Sequence, residues 1–249
     1  MKYFFTVIWG IVCIGVLAYG HFHWNQQTAV KAIEPVLTQE SSEPDNSKYL
    51  ELAANWPEVA KEQFKTALEE EKPFKILFIG SNAMEWEKSV TQSLTESFGS
   101  ERIITAQHTY DLTTVDIVAE NQQLALAAEQ AHLVVMEPFL FNDNGKLKID
   151  VTLANVTKII DDIKAENPDT TFILQPSYPI YLPKYYSTQV EALKEYATAN
   201  NITYLDHWTA WPATDNPEIN NYLNEEQSGP NEQGYQAWSQ FLIDYFVKK

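Results

Sequence analysis

Cysteine is all but missing. Cys13 is the only one in 249 residues, so the chain has no intrachain disulfide framework and no cysteine-built zinc site. Basic residues are also scarce: 17 Lys and Arg stand against 34 Asp and Glu, a formal charge of −17. Nucleic acid and anionic lipid surfaces are held by clustered cations, and this balance argues against both as partners. The acidic residues form no long block and read as a solvated surface. No internal repeat is present, and no turn carries a dinucleotide glycine fingerprint or a phosphate loop. Asn142-Asp143-Asn144-Gly145 lacks the ligand spacing of a calcium loop and reads as an Asn-Gly turn. Neither a metal nor a cofactor is expected.

A long uncharged apolar run occurs once, from Tyr3 to Gly20 after Lys2. Its eighteen residues are near the lower limit for crossing a bilayer as a helix. A cleaved signal peptide fits the small residues of Ala18-Tyr19-Gly20. An uncleaved anchor also explains Phe22 and Trp24, aromatics at the membrane interface, and is the preferred reading. Residues 1–24 are thus expected as a single-pass anchor in the cell membrane with the remainder extracytoplasmic, or as the leader of a secreted protein. Residues 25–47 are polar and weakly patterned and read as a linker. Residues 48–249 are long enough for one domain with a substantial core, opened by a helical lead-in over 48–72 that Pro57 divides.

Beyond Lys75 the chain alternates. Short apolar runs predict strands at Ile76–Ile79, Ile103–Ala106, Leu133–Met136, Thr171–Leu174 and Ile202–Leu205. Between them lie helix candidates Glu85–Phe98, Thr113–Gln130, Val151–Glu166 and Ser187–Asn200, with a last one at Glu232–Val247. Apolar stripes such as Leu153, Val156, Ile160 and Ile163 mark one-sided burial and so belong to core. The pattern predicts a three-layer α/β/α domain on a five-stranded parallel sheet, of flavodoxin-like type.

With right-handed crossovers all five strands end on one edge, where open α/β sheets bind ligands. Residues just past those ends are Ser81 and Asn82, then His108, Tyr110 and Asp111, then Glu137, then Gln175, Ser177 and Tyr178, then Asp206, His207, Trp208 and Trp211. Ester hydrolysis there needs a hydroxyl, a base, a group that orients the base, and N–H donors for an oxyanion. Ser81 supplies the hydroxyl, or is merely an N-cap at a strand–turn–helix junction. Asn142 offers a side-chain amide. Among the five histidines, His207 follows a strand end and adjoins a carboxylate, Asp206. Adjacent residues usually point apart, so Asp206-His207 equally suits a strand-end cap with a half-buried imidazole.

The same layout resembles the SGNH/GDSL hydrolases. Phe78-Ile79-Gly80-Ser81-Asn82 is similar to their first block, and Val134-Val135-Met136 leading to Asn142-Asp143 to their third. Gly229-Pro230-Asn231-Glu232-Gln233-Gly234-Tyr235 is similar to the last, with Gly229 where the family has its catalytic His and Glu226 where it has Asp. Aligned strictly, Ser81 takes the place of the first block's Asp, and Asn82 that of its nucleophile. The resemblance implies an exported, membrane-anchored esterase acting on a cell-envelope small-molecule or carbohydrate ester, an acylated wall carbohydrate or a lipid ester. Its catalytic set would be Ser81, Asn142, His207 as displaced base, and Asp206. Asn82, Glu137, Gln175, Tyr178, Trp208 and Asn231 would contact substrate. The alternative is a degenerate relative that binds an envelope glycan without hydrolysing it, with Trp208, Trp211 and Tyr178 as stacking surfaces.

Overall fold

The computed structural model describes residues 46–248. The expected segment Tyr3–Gly20 lies outside the described residues, and among the described ones no helix is long and apolar enough to cross a membrane. Two helices open the described region, α1 (Ser47–Leu52) and α2 (Glu58–Glu69), with Pro57 just before the second. Then follow β1 (Phe74–Gly80), α3 (Glu87–Phe98), β2 (Ile103–Thr109), α4 (Thr114–Ala119), α5 (Gln122–Ala128) and β3 (Leu133–Met136). The chain continues through α6 (Leu140–Asp143), α7 (Ile149–Glu166), β4 (Thr171–Leu174), α8 (Tyr186–Ala199), β5 (Thr203–Tyr204) and α9 (Glu232–Phe246). Two 3-10 turns, His207–Ala210 and Pro217–Tyr222, fill the stretch before α9.

All strand pairs are parallel, and the five strands lie in the order β2-β1-β3-β4-β5. Side chains alternate across a strand, so each central strand feeds two cores. Phe74, Ile76 and Phe78 of β1 join Val135 and Ile173 beneath α1, α2, α3 and α9. Leu77 and Ile79 join Val134, Met136, Phe172 and Leu174 beneath α4, α5, α7 and α8. Burial on both faces is why these strands are unbroken apolar runs. In the first core, Trp56 stacks within 5.2 Å of Phe64, 5.4 Å of Phe74 and 5.6 Å of Phe98, ring centre to ring centre. Its indole N–H donates to Phe246 O at 2.8 Å, which fastens the end of α9 to the lead-in.

Two local features depart from expectation. The single helix expected over Thr113–Gln130 is two helices, because Asn121 takes a left-handed backbone (φ 57°) between them. Thr113 starts the first through a reciprocal capping box with Asp116. The strand expected over Ile202–Leu205 pairs only at Thr203–Tyr204, where it lies at the sheet edge beside β4.

Candidate functional site

The chain runs from β1 outward to β2 and then returns past β1 to β3. That reversal opens a crevice between the carboxyl ends of β1 and β3, the place where such sheets bind ligands. Ser81 stands at one lip and Glu137 at the other. Ser81 Oγ donates to Glu137 Oε2 at 2.6 Å, and the Ser81 N–H donates to the same oxygen at 3.0 Å. Both residues are buried, with Glu137 at 0% exposure. The approach depends on Gly80: a Cβ there would lie 3.0 Å from Glu137 Oε2 and 2.3 Å from Met84 Sδ.

Burial pushes the Glu137 carboxyl above the ordinary carboxylate range, while the bonds from Ser81 and the proximity of the Ser177 hydroxyl pull it back. Glu137 Oε1 has no hydrogen-bond partner, and neither do the neighbouring Ser177 Oγ, Tyr186 Oη and Gln175 Nε2. Unpaired buried polar atoms, here one carboxyl oxygen and three neighbours, cost about 1–3 kcal/mol each and call for an explanation in chemistry or bound solvent. Beyond Ser81 the backbone turns. The Ala83 N–H points back toward Ser81 Oγ at 3.4 Å, whereas the Asn82 N–H has no acceptor among the described residues. The Asn82 side chain itself is exposed.

Aromatic rings wall this crevice. Phe141 stacks on Tyr186 at 4.0 Å and leans on Tyr178 at 4.6 Å, and Tyr186 meets Trp208 at 5.5 Å. The Trp208 indole donates to Ser177 O at 2.7 Å, which fixes the loop after β4. Burial and then the Glu137 charge push the Tyr178 phenol up to about 12, with Tyr235 adding to the effect. Tyr235 also lines a cleft of about 730 Å³ with Glu85, Trp86, Asn231 and Ser239, which borders the turn after Ser81. Another cleft, of about 460 Å³, lies at the amino end of the strands beside Gln63, His132 and Asp169, away from these groups.

The other expected site residues are placed differently. His207 is fully buried. Its Nε2 bonds to Pro176 O at 2.9 Å, and its Nδ1 accepts from the Trp211 indole at 3.2 Å. The ring lies flat on Trp238 at 4.1 Å, and burial lowers its pKa to about 3. Both nitrogens are thus committed elsewhere than to Ser81. Asp206 points away to Lys194 at 3.3 Å and makes no bond to His207. The Asn142 amide donates to Leu112 O at 2.9 Å and Tyr110 O at 3.5 Å, so it holds the loop after β2 instead of facing Ser81. Gln175 accepts from Trp238 Nε1 at 3.0 Å. Asn231 caps α9, accepting from Gly234 N and donating to Asn221 O and Leu223 O. At Gly229 a Cβ would meet only Asn224 Nδ2, at 3.6 Å.

Sequence reasoning passed over Asp143, which is fully buried. It accepts from Thr114 N at 2.9 Å and from the Thr114 and Thr152 hydroxyls at 2.6 Å each, tying α4 and α7 to the end of α6. It also gave Glu137 no link to Ser81, although both follow the carboxyl ends of central strands. Among the described residues, no group of three or more His, Cys, Asp or Glu is arranged to hold a metal ion.

No family model and no curated protein matches this sequence. Solved structures do match. A GDSL-like lipase from Parabacteroides merdae superposes with a TM-score of 0.59 at 12% identity, over 71% of this chain and 96% of that one. Axe2, an acetylxylan esterase from Geobacillus stearothermophilus, gives 0.59 at 13% identity over 72% and 96%. A carbohydrate esterase family 3 protein from Talaromyces cellulolyticus gives 0.58 at 14% identity over 68% and 94%. The chain has the fold of the GDSL-like hydrolases. Within that GDSL-like fold, Ser81 and Glu137 lie just past the carboxyl ends of β1 and β3.

Proposed function

We propose that this chain is an ester hydrolase of the cell envelope, with Ser81 as nucleophile and an acylated carbohydrate as substrate. The observation that carries the reading is the Ser81 hydroxyl at the β1–β3 switch point, 2.6 Å from a carboxylate able to accept its proton. The unbonded Asn82 N–H, next along the turn, supplies an oxyanion donor. The half-buried rings of Phe141 and Trp208 offer apolar surface suited to a sugar. The carbohydrate esterases that share the fold support an acylated sugar as substrate class. The Tyr3–Gly20 run supports an extracytoplasmic position.

The decisive experiment is fluorophosphonate labelling of the full chain, with the adduct mapped by mass spectrometry. An adduct on Ser81, lost in Ser81→Ala together with acetyl-ester hydrolysis, is expected. Folded protein that takes up no label beside a reactive control hydrolase refutes the assignment.

One observation favours a second reading. The imidazole and side-chain amide that the family resemblance would put to work, His207 and Asn142, are both bonded into the scaffold. A chain that had lost hydrolysis would still present the aromatic wall, and would bind a glycan whether or not Ser81 kept its hydroxyl.

A further inference from the structure

We infer that Glu137 is the general base for Ser81, in the place an imidazole would hold. The inference rests on the reading of Ser81 as nucleophile and adds the identity of the group that activates it. Three observations converge on it. Ser81 Oγ and Glu137 Oε2 are at proton-transfer distance, 2.6 Å. The same Oε2 accepts the Ser81 backbone N–H, which fixes the carboxylate against the nucleophile and leaves it few alternative positions. The histidine nearest in the fold's logic, His207, has both nitrogens occupied by Pro176 and Trp211.

The step balances without a further reactant. Ser81 Oγ attacks the ester carbon while its proton passes to Glu137 Oε2. The tetrahedral oxyanion collapses, the C–O bond to the alcohol breaks, and the leaving alkoxide takes the proton from Glu137. Water then attacks the acyl-Ser81 carbonyl, giving a proton to Glu137, and that proton returns to Ser81 Oγ as the acid departs. A carboxylate in water is too weak a base for this work. Burial raises its basicity toward the working pH, as catalytic carboxylates require.

The titratable groups facing Glu137 are the phenols of Tyr178, from the loop after β4, and Tyr186, from α8. Burial holds both above their ordinary range, so they stay neutral while Glu137 titrates. Ser81 and Ser177 supply the hydroxyls around it, and no Lys, Arg, His or second carboxylate contributes to its shift. The reactivity of Ser81 therefore follows one group. It is low where Glu137 is protonated and rises with pH as the carboxylate forms.

The test is the rate of alkyl fluorophosphonate labelling at Ser81 across pH, in the full chain and two variants. In that reaction the Oγ–P bond forms, P–F breaks, and the proton goes to Glu137. The wild type is expected to show one rising midpoint above the ordinary glutamate range. Glu137→Gln, which is nearly isosteric, is expected to label at least about 100-fold more slowly and without that midpoint. Ser177→Ala removes a hydroxyl that favours the charged form, so its midpoint moves to higher pH. Labelling of Glu137→Gln at the wild-type rate overturns the inference while leaving Ser81 as nucleophile. A wild type that never labels removes the nucleophile reading itself. If Glu137→Gln does not fold, the Ser177→Ala arm decides: an unmoved midpoint excludes Glu137 as the titrating base.

Discussion

Acidification should cost this fold stability through His207, and the size of the effect follows from its surroundings. An unfolded chain protonates this imidazole below about pH 6.5. In the folded protein the pKa is lowered to about 3, because the ring is fully buried. Protonating Nδ1 would also set a new N–H against the Trp211 indole N–H that now donates to it. The flat contact with Trp238 at 4.1 Å would favour a cation somewhat, but far less than burial opposes it. The sign follows: between the unfolded and folded pKa values the unfolded state binds the extra proton. Stability is complete above pH 6.5 and is lost as pH falls toward 3, at about 1.4 kcal/mol per unit, or ~3 kcal/mol between pH 7 and pH 4.

Other groups titrate over the same range, so the measurement has to be a difference. Asp116, Glu129 and Asp162 have lowered pKa values, and their loss falls mainly below the unfolded carboxylate range. Glu137, with a raised pKa, gives a contribution of opposite sign. His207→Gln keeps an amide N–H for Pro176 O and a carbonyl for Trp211, and cannot titrate. Urea denaturation followed by tryptophan fluorescence at pH 7, 6, 5 and 4 gives both curves. The stability of wild type relative to His207→Gln should fall by ~3 kcal/mol across that range. A constant difference refutes the reasoning. It would mean that His207 titrates normally in the folded protein, and would restore it as a candidate base.

Two further outcomes test how the site is held. Asp143→Ala leaves three buried donors unpaired, from Thr114 and Thr152, and should cost about 3–5 kcal/mol, with Asp143→Asn milder. A urea midpoint close to wild type for the Ala variant would show that these bonds do not hold α4 and α7 in place. Gly234→Ala puts a methyl 2.3 Å from Tyr222 O and 2.9 Å from a Trp211 ring carbon, against a backbone that cannot yield easily. It should destabilise by about 1–3 kcal/mol despite alanine's better helix propensity, and a raised melting temperature would contradict the close packing of α9.

What could be read from the sequence and what could not divide along physical lines. Ile76–Ile79 and Leu133–Met136 announce themselves because a strand buried on both faces has to be apolar throughout, a purely local requirement. The stripe through Val156, Ile160 and Ile163 is legible for the same reason, since one helix face meets one core. The break at Asn121 is not, because Ala119 and Glu120 before it and the Ala/Leu run 124–128 after it favour helix, and only a single left-handed residue separates the segments. Polar pairing is harder still. Ser81 and Glu137 are 56 positions apart, and nothing in either neighbourhood names the other. Asp206 and His207 are adjacent and plausible together, yet the chain sends one to Lys194 and turns the other inward beneath Trp238.

That contrast explains how the fold can be plain while the site is not. The apolar pattern selects a sheet and its layers through many weak, interchangeable contacts. The order β2-β1-β3 then brings two strand ends together at a place that no local pattern marks. Once Gly80 lets them approach, the hydroxyl and carboxylate form a short bond inside a region that includes four unpaired polar atoms. A fold selected for stability alone would have little reason to keep a fully buried carboxylate there, because an apolar residue of similar volume would avoid its desolvation. Glutamine at 137 offers a direct comparison. If it raises stability at neutral pH while Ser81 loses its reactivity, the buried charge is retained for chemistry; if it lowers both, Glu137 is first a structural partner of the β1 turn.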